Sequence, residues 1–353
     1  MDGILSQGSS LFINDATVVT TREKYLDQRQ RLQKMREHLR IRVSIDDTSF
    51  ETEVVAACMK EVQPIIDAHA DRTGEEINAA IARYLGVHFE EVRTQADIQR
   101  LERKYLVERR EIGFGQLAEE LADKTVDALL FQRLHAEPRA HDRWVAVLNI
   151  QESAARAYWS RPHEIVHRLA EPPQQRFRFF RHRTDAENRL ERIIDLGAAE
   201  LAFPRSIYGA QVARAAHREL TWETLRVVHR HFAPTASLLA AAKAFVRYWP
   251  QPAFLLTAML KRSKQRPNEP PALRISLEGF SDTASLTGIQ FIPNMRVPKS
   301  SALTNAFMSS REEAAFENLA TWTTRSGTCP PDCRVLTAAV GLGHVAYALV
   351  SVV

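Results

Sequence analysis

Two histidines four positions apart, His163 and His167, stand in the run Arg161-Pro162-His163-Glu164-Ile165-Val166-His167-Arg168-Leu169-Ala170-Glu171. The segment reads as helix, and residues four apart share a helix face. Two imidazoles on one face can hold a single divalent metal, most often zinc. Glu164 lies beside them, placed to take a proton from a water molecule activated there. The bland alternative for so short a motif is a solvated helix face that happens to carry two histidines.

Catalytic zinc usually has three protein ligands and one open position. A second helix follows with Glu187, Glu191 and Asp195 one turn apart on one face, and spacing alone admits any of the three as the third ligand. The others would then be surface carboxylates or hydrogen-bond partners of the ligating imidazoles.

The run from Glu191 to Pro204 carries a resemblance. ImmA/IrrE-type metallopeptidases follow an H-E-x-x-H helix with a second helix reading E-x-x-A-N-x-F-A-A-x-L-L-M-P. This chain matches that register without a gap at Glu191, Ala198, Ala199, Leu201 and Pro204. It departs at Ile194, Asp195, Gly197, Ala202 and Phe203. It also has Val166 where the family usually has Gly, and Ala170 and Glu171 where a later His is common.

The resemblance implies an α+β chain: a zincin-like metallopeptidase domain with N-terminal helices, then a smaller strand-rich, GAF-like sensor domain. It implies zinc as cofactor, held by His163, His167 and Glu191, with Glu164 as the catalytic general base. Its relatives cut a helix-turn-helix transcriptional repressor at one site and so release stress or defence genes. In the defence-associated, CapP-like branch, single-stranded DNA is the activating ligand. The reading from a different class is a non-proteolytic zincin-like regulator that binds a repressor or DNA. The intact Glu164 speaks for catalysis, because a scaffold needs no general base.

The elements that must position these residues follow from the rest of the chain. Its 353 residues, 45% hydrophobic and 25% charged, suit a globular protein of more than one domain. A net charge of +4 and a pI near 9.0 permit nucleic-acid contact without requiring it. Three cysteines, Cys58, Cys329 and Cys333, do not make a disulfide scaffold, and no basic-then-apolar leader opens the sequence. The expected location is cytoplasmic.

Residues 1–47 read as a loosely ordered arm and a charged helix from Thr20 to about Ile41, docked on its own protein. Residues 48–250 hold the peptidase. Thr48-x-x-Glu51 and Thr73-x-x-Glu76 look like capping boxes, and 48–123 reads as a helical block in which Thr94 starts a further helix. Val126–Leu134 and Trp144–Ile150 read as strands leading into the histidine helix.

Between the ligand helices, Arg176-Phe177-Arg178-Phe179-Phe180-Arg181-His182-Arg183 alternates basic and aromatic residues. Arg176, Arg178, Arg181 and Arg183 are candidates for contact with single-stranded nucleic acid or a substrate strand, or else a solvated strand. Arg161 or His182 are candidates to stabilise an oxyanion. Leu220–Phe232 and Thr235–Val246 read as a helix pair, packing rather than DNA-binding.

Residues 251–353 read as strands at Phe254–Leu260, Leu273–Glu278, Ile289–Ile292, Leu319–Arg325 and within Val335–Val353. That apolar tail nears membrane-span length, but Gly341, Gly343 and His344 interrupt it and favour two strands joined by a turn. Cys329 and Cys333 form an isolated C-x₃-C pair with a redox, metal-sensing or incidental role, or a thiol able to reach and block the metal.

Overall fold

The structure is a computed structural model that describes residues 21–122, 126–137, 140–151, 154–172, 178–182, 188–262, 268–322 and 333–353. The chain is α+β. A helical N-terminal region with a small mixed sheet precedes a five-stranded antiparallel sheet at the C-terminus.

Helices α1 (Thr21–His38), α2 (Phe50–Ala68) and α3 (Gly74–Leu85) come first. In α2 the buried residues Phe50, Val54, Cys58, Val62 and Ile66 recur every fourth position, which lays one apolar stripe against the core. Thr73 and Glu76 form the capping box that the sequence announces for α3. Thr48 does not cap α2. That helix begins at Phe50 after Ser49, whose N–H and hydroxyl both donate to Asp47.

The segment between Gly86 and Thr94 is not helical but is strand β1 (Val87–Val92). It runs parallel to β3 (Trp144–Asn149), which pairs antiparallel with β2 (Val126–Gln132). Strand β4 (Arg178–His182) closes the sheet in the order β1-β3-β2-β4. Its charges hide β1 from a hydropathy reading: Glu90 is buried, and Lys104, Tyr105 and Arg100 neutralise and bond it.

Successive residues of β2 and β3 face opposite layers, as strand geometry requires. Leu130, Trp144 and Ala146 join the main core under α2, α3, α6 (Ala154–Ala170) and α7 (Arg189–Ala202). Leu129, Phe131, Val145 and Val147 pack on α4 (Gln95–Glu102), α5 (Leu117–Ala122) and the turns between them.

Helices α8 (Ala210–Ala215), α9 (Trp222–Phe232) and α10 (Leu238–Tyr248) join this region to the second sheet. Strands β5 (Ala253–Lys261), β6 (Ala272–Phe280), β7 (Glu312–Asn318), β8 (Arg334–Leu342) and β9 (Val345–Val352) lie in the order β6-β5-β9-β8-β7. One face of this sheet adds Leu255, Ala338, Val340 and Leu349 to the main core. The Trp222 indole N–H donates to the Ala338 carbonyl at 3.0 Å across the same junction. The α9–α10 pair is therefore packed onto the sheet.

The other face of the sheet is covered by α11 (Ala302–Ser309) and by Phe291 and Trp322. A Cβ on Gly341 would lie 2.0 Å from the Ala306 carbonyl oxygen, so only glycine lets α11 press this closely on β8. The tail is the β8–β9 hairpin, and no helix among the described residues is long and apolar enough to cross a membrane.

Two strand expectations fail. Residues 289–292 are a loop in which Ile289 and Phe291 are buried while its neighbours bond to the edge of β6, with Asn294 N–H donating to the Ile275 carbonyl. Residues 319–321 form a single 3-10 turn, 323–325 lie outside the described residues, and a strand lies just before the turn in β7, whose residues alternate between half-buried and exposed.

Candidate metal centre

Helix α6 carries His163, Glu164 and His167, and α7 carries Glu191 in its first turn. Asn188 caps α7 by accepting the Leu190 N–H at 3.0 Å, and the positive end of that helix favours a carboxylate at Glu191. The two helices pack closely. An added Cβ on Gly197 would stand 2.9 Å from Val166 Cγ1 and 3.2 Å from Cγ2.

A valine on α6 thus faces a glycine on α7. Gly197→Ala is expected to destabilise the chain by ~1–3 kcal/mol, because the stiff valine cannot withdraw. Adding Val166→Ala should recover most of the loss. Thermal melts of the single and double variants check this, and a Gly197→Ala protein as stable as wild type would contradict it.

His163, Glu164, His167, Glu171 and Glu191 are all buried. The His163 and His167 Nε2 atoms are 3.1 Å apart, and Glu191 Oε2 lies 3.4 and 3.6 Å from them. On the far side of each ring, Nδ1 meets a carboxylate: Asp195 at 3.1 Å for His163 and Glu171 at 3.0 Å for His167. A carboxylate at Nδ1 selects the tautomer protonated there and leaves Nε2 with a lone pair. Three lone-pair donors then converge on one point, an arrangement that a cation satisfies.

The spacing fits a metal ion. Donors about 2.0–2.1 Å from one tetrahedral ion stand about 3.3–3.4 Å from each other, close to the three separations found. His163, His167 and Glu191 form the one cluster of His, Cys, Asp or Glu among the described residues that could hold a metal.

The charges agree. Burial disfavours a charged His167, but the Glu191 carboxylate, the hydrogen bond to Glu171 and the nearby Glu164 charge raise its pKa from 6.5 to about 10 in the metal-free chain. Burial also opposes the charge on Glu191, yet His167 and His163 hold its carboxyl far below the usual carboxylate range.

A raised His167 pKa stabilises the fold fully below pH 6.5 and is lost as pH climbs toward about 10. A depressed Glu191 pKa stabilises above 4.5 and is lost as pH falls toward its folded value. With a chelator present, the melting temperature is expected to fall as pH rises from 6.5 to 10. Metal uptake at pH 7 should release a proton, read as a buffer-dependent enthalpy. A melting temperature flat across that window would refute the charge assignment.

Other candidates are placed as follows. Asp195 is an imidazole partner on the rim, and Glu187 lies outside the described residues. The Arg161 guanidinium donates to Glu91 of β1 at 2.7 Å. Arg178, Arg181 and His182 lie on edge strand β4, whose backbone alone is described, and Arg176 and Arg183 fall outside the described residues. Cys333 packs against the distant core of the second sheet, and Cys329 is not among the described residues. The sequence reading missed Glu171 as a partner of His167, although its place four residues on was the available signal.

No family model matches the chain, and no curated protein matches it. A Mycobacterium tuberculosis transcriptional regulator is structurally similar over 83% of this chain and 81% of its own, with a TM-score of 0.36 and 10% identity. So distant a likeness says nothing about the chemistry of the metal centre.

Proposed function

We propose that this chain is a zinc-dependent, site-specific endopeptidase that cleaves a helix-turn-helix transcriptional repressor in response to a stress or DNA-damage signal. The observation that carries the reading is the convergence of His163 Nε2, His167 Nε2 and Glu191 Oε2, with the buried Glu164 on the same helix. Two imidazoles and one carboxylate is a donor set that suits catalytic zinc. Bound there, zinc supplies Lewis acidity, bringing the pKa of water to about 7 and polarising a carbonyl.

The chain's own groups do the rest. His163, His167 and Glu191 hold the ion, while Asp195 and Glu171 fix the two imidazole tautomers. Glu164 accepts the proton of the attacking water and returns it to the leaving amine. In this reading residues 48–250 form a zincin-like peptidase and residues 251–353 a GAF-like sensor. A single antiparallel sheet with helices on both faces, packed directly on the peptidase core, supports a unit able to pass on a signal.

The activating ligand in this reading is single-stranded DNA, bound through phosphate contacts and base stacking at the basic-aromatic stretch 176–183 or at the strand-rich unit. The experiment incubates the zinc-loaded chain with a helix-turn-helix repressor encoded beside it, with and without a single-stranded oligonucleotide, and follows intact mass. One discrete cut, accelerated by the oligonucleotide, is expected. A stable complex without cleavage would replace the protease by a non-proteolytic regulator.

A further inference from the structure

Helix α1 reaches both ligand helices. Its buried Leu32 and Met35 dock it on the main core, and it packs along α7. From the docked face, Arg31 Nη2 donates to Glu171 at 3.1 Å to Oε1 and 3.3 Å to Oε2. Glu171 Oε1 is the atom that meets His167 Nδ1 at 3.0 Å. One turn earlier, Gln28 Nε2 donates to Asn188 Oδ1 at 2.5 Å, and that oxygen also caps the helix that carries Glu191.

The electrostatics give Arg31 a task. The Glu171 side chain is only 3% exposed, and it follows the last residue of α6, where the negative end of the helix disfavours a carboxylate. A buried carboxylate in that place needs a counter-cation as well as a hydrogen-bond donor. Through Nη2 the Arg31 guanidinium reaches both oxygens and so holds the carboxylate that meets His167. Partners of this kind set ring orientation and ligand basicity without touching the ion.

We propose that α1 is a clamp on the metal centre and that Arg31 is a positioning residue, acting on His167 through Glu171 while Gln28 steadies α7. Undocking α1 slackens a ligand on each helix at once, so whatever holds or displaces this helix also sets metal occupancy. The proposal rests on the metal-centre reading above.

The test measures Zn²⁺ affinity of the full chain by competition with a chromophoric chelator, with Co²⁺ absorption as a report of ligand geometry and melts of the metal-free proteins in parallel. Arg31→Ala is expected to bind Zn²⁺ ~10–100-fold more weakly, with an altered Co²⁺ spectrum. Arg31→Lys, which keeps the cation, should return to within ~3-fold of wild type, and Gln28→Ala should lose less than Arg31→Ala. Should Arg31→Ala fail to fold, Arg31→Gln takes its place: a loss of ~10-fold or more that Lys does not share supports the clamp.

Wild-type affinity in the Ala or Gln variant overturns the proposal, as does an equal loss in the neutral and Lys variants. A wild-type chain that binds no Zn²⁺ or Co²⁺ overturns the metal-centre reading itself. Binding by wild type with indifferent Arg31 variants overturns the clamp alone.

Discussion

Replacing Glu164 by Gln is expected to leave the fold and metal binding in place while lowering the proposed repressor cleavage ~10²–10⁴-fold. The amide matches the carboxylate in shape, and at a site only 1% exposed shape decides whether the helix packs unchanged. What the amide lacks is a lone pair basic enough to take a proton from water. Glu164 is not one of the three converging donors, so its loss should not empty the site. Mass analysis of repressor incubated with each protein, paired with metal content, gives the answer. Cleavage at the wild-type rate by Glu164→Gln would remove this residue from the mechanism.

The second large effect concerns Glu191. Glu191→Ala removes a ligand and leaves two Nε2 atoms 3.1 Å apart with no anion between them. Metal affinity should fall by more than the ~10–100-fold that loss of an outer partner such as Asp195 costs. A competition titration of Glu191→Ala, Asp195→Ala and Glu187→Ala ranks the three carboxylates directly. Full metal in Glu191→Ala with loss in Glu187→Ala would move the third ligand from Glu191 to Glu187.

The candidate site was legible in the sequence because helix periodicity is local. His163 and His167 share a face by spacing alone, while spacing left three candidate carboxylates open and only the resemblance of the run from Glu191 to the metallopeptidase motif singled out one of them. Asp195, expected as an imidazole partner or a surface group, meets His163 Nδ1. Arg31 was not legible, since its partner Glu171 is 140 residues away and only the packing of α1 brings them together. The pairing of Val166 with Gly197 was hidden for the same reason: each looked like an isolated departure until the helices met.

Strands were legible where burial made them apolar, as in β2, β3 and the final hairpin. They were missed where charge was neutralised by distant partners, as at Glu90 in β1, or where an edge strand such as β7 exposes alternate residues. Conversely, Ile289 and Phe291 are apolar because they pack, while the backbone around them forms no ladder. Hydropathy alone cannot separate those two cases.

The central claim is that His163, His167 and Glu191 form a metal centre. Elemental analysis of the purified wild-type chain after exhaustive dialysis tests it most directly, with the His163→Ala/His167→Ala double variant beside it. About one zinc per wild-type chain is expected, the stoichiometry of a single mononuclear site, and essentially none in the double variant. Equal metal in the two proteins, or none in wild type after zinc-replete expression, would contradict it.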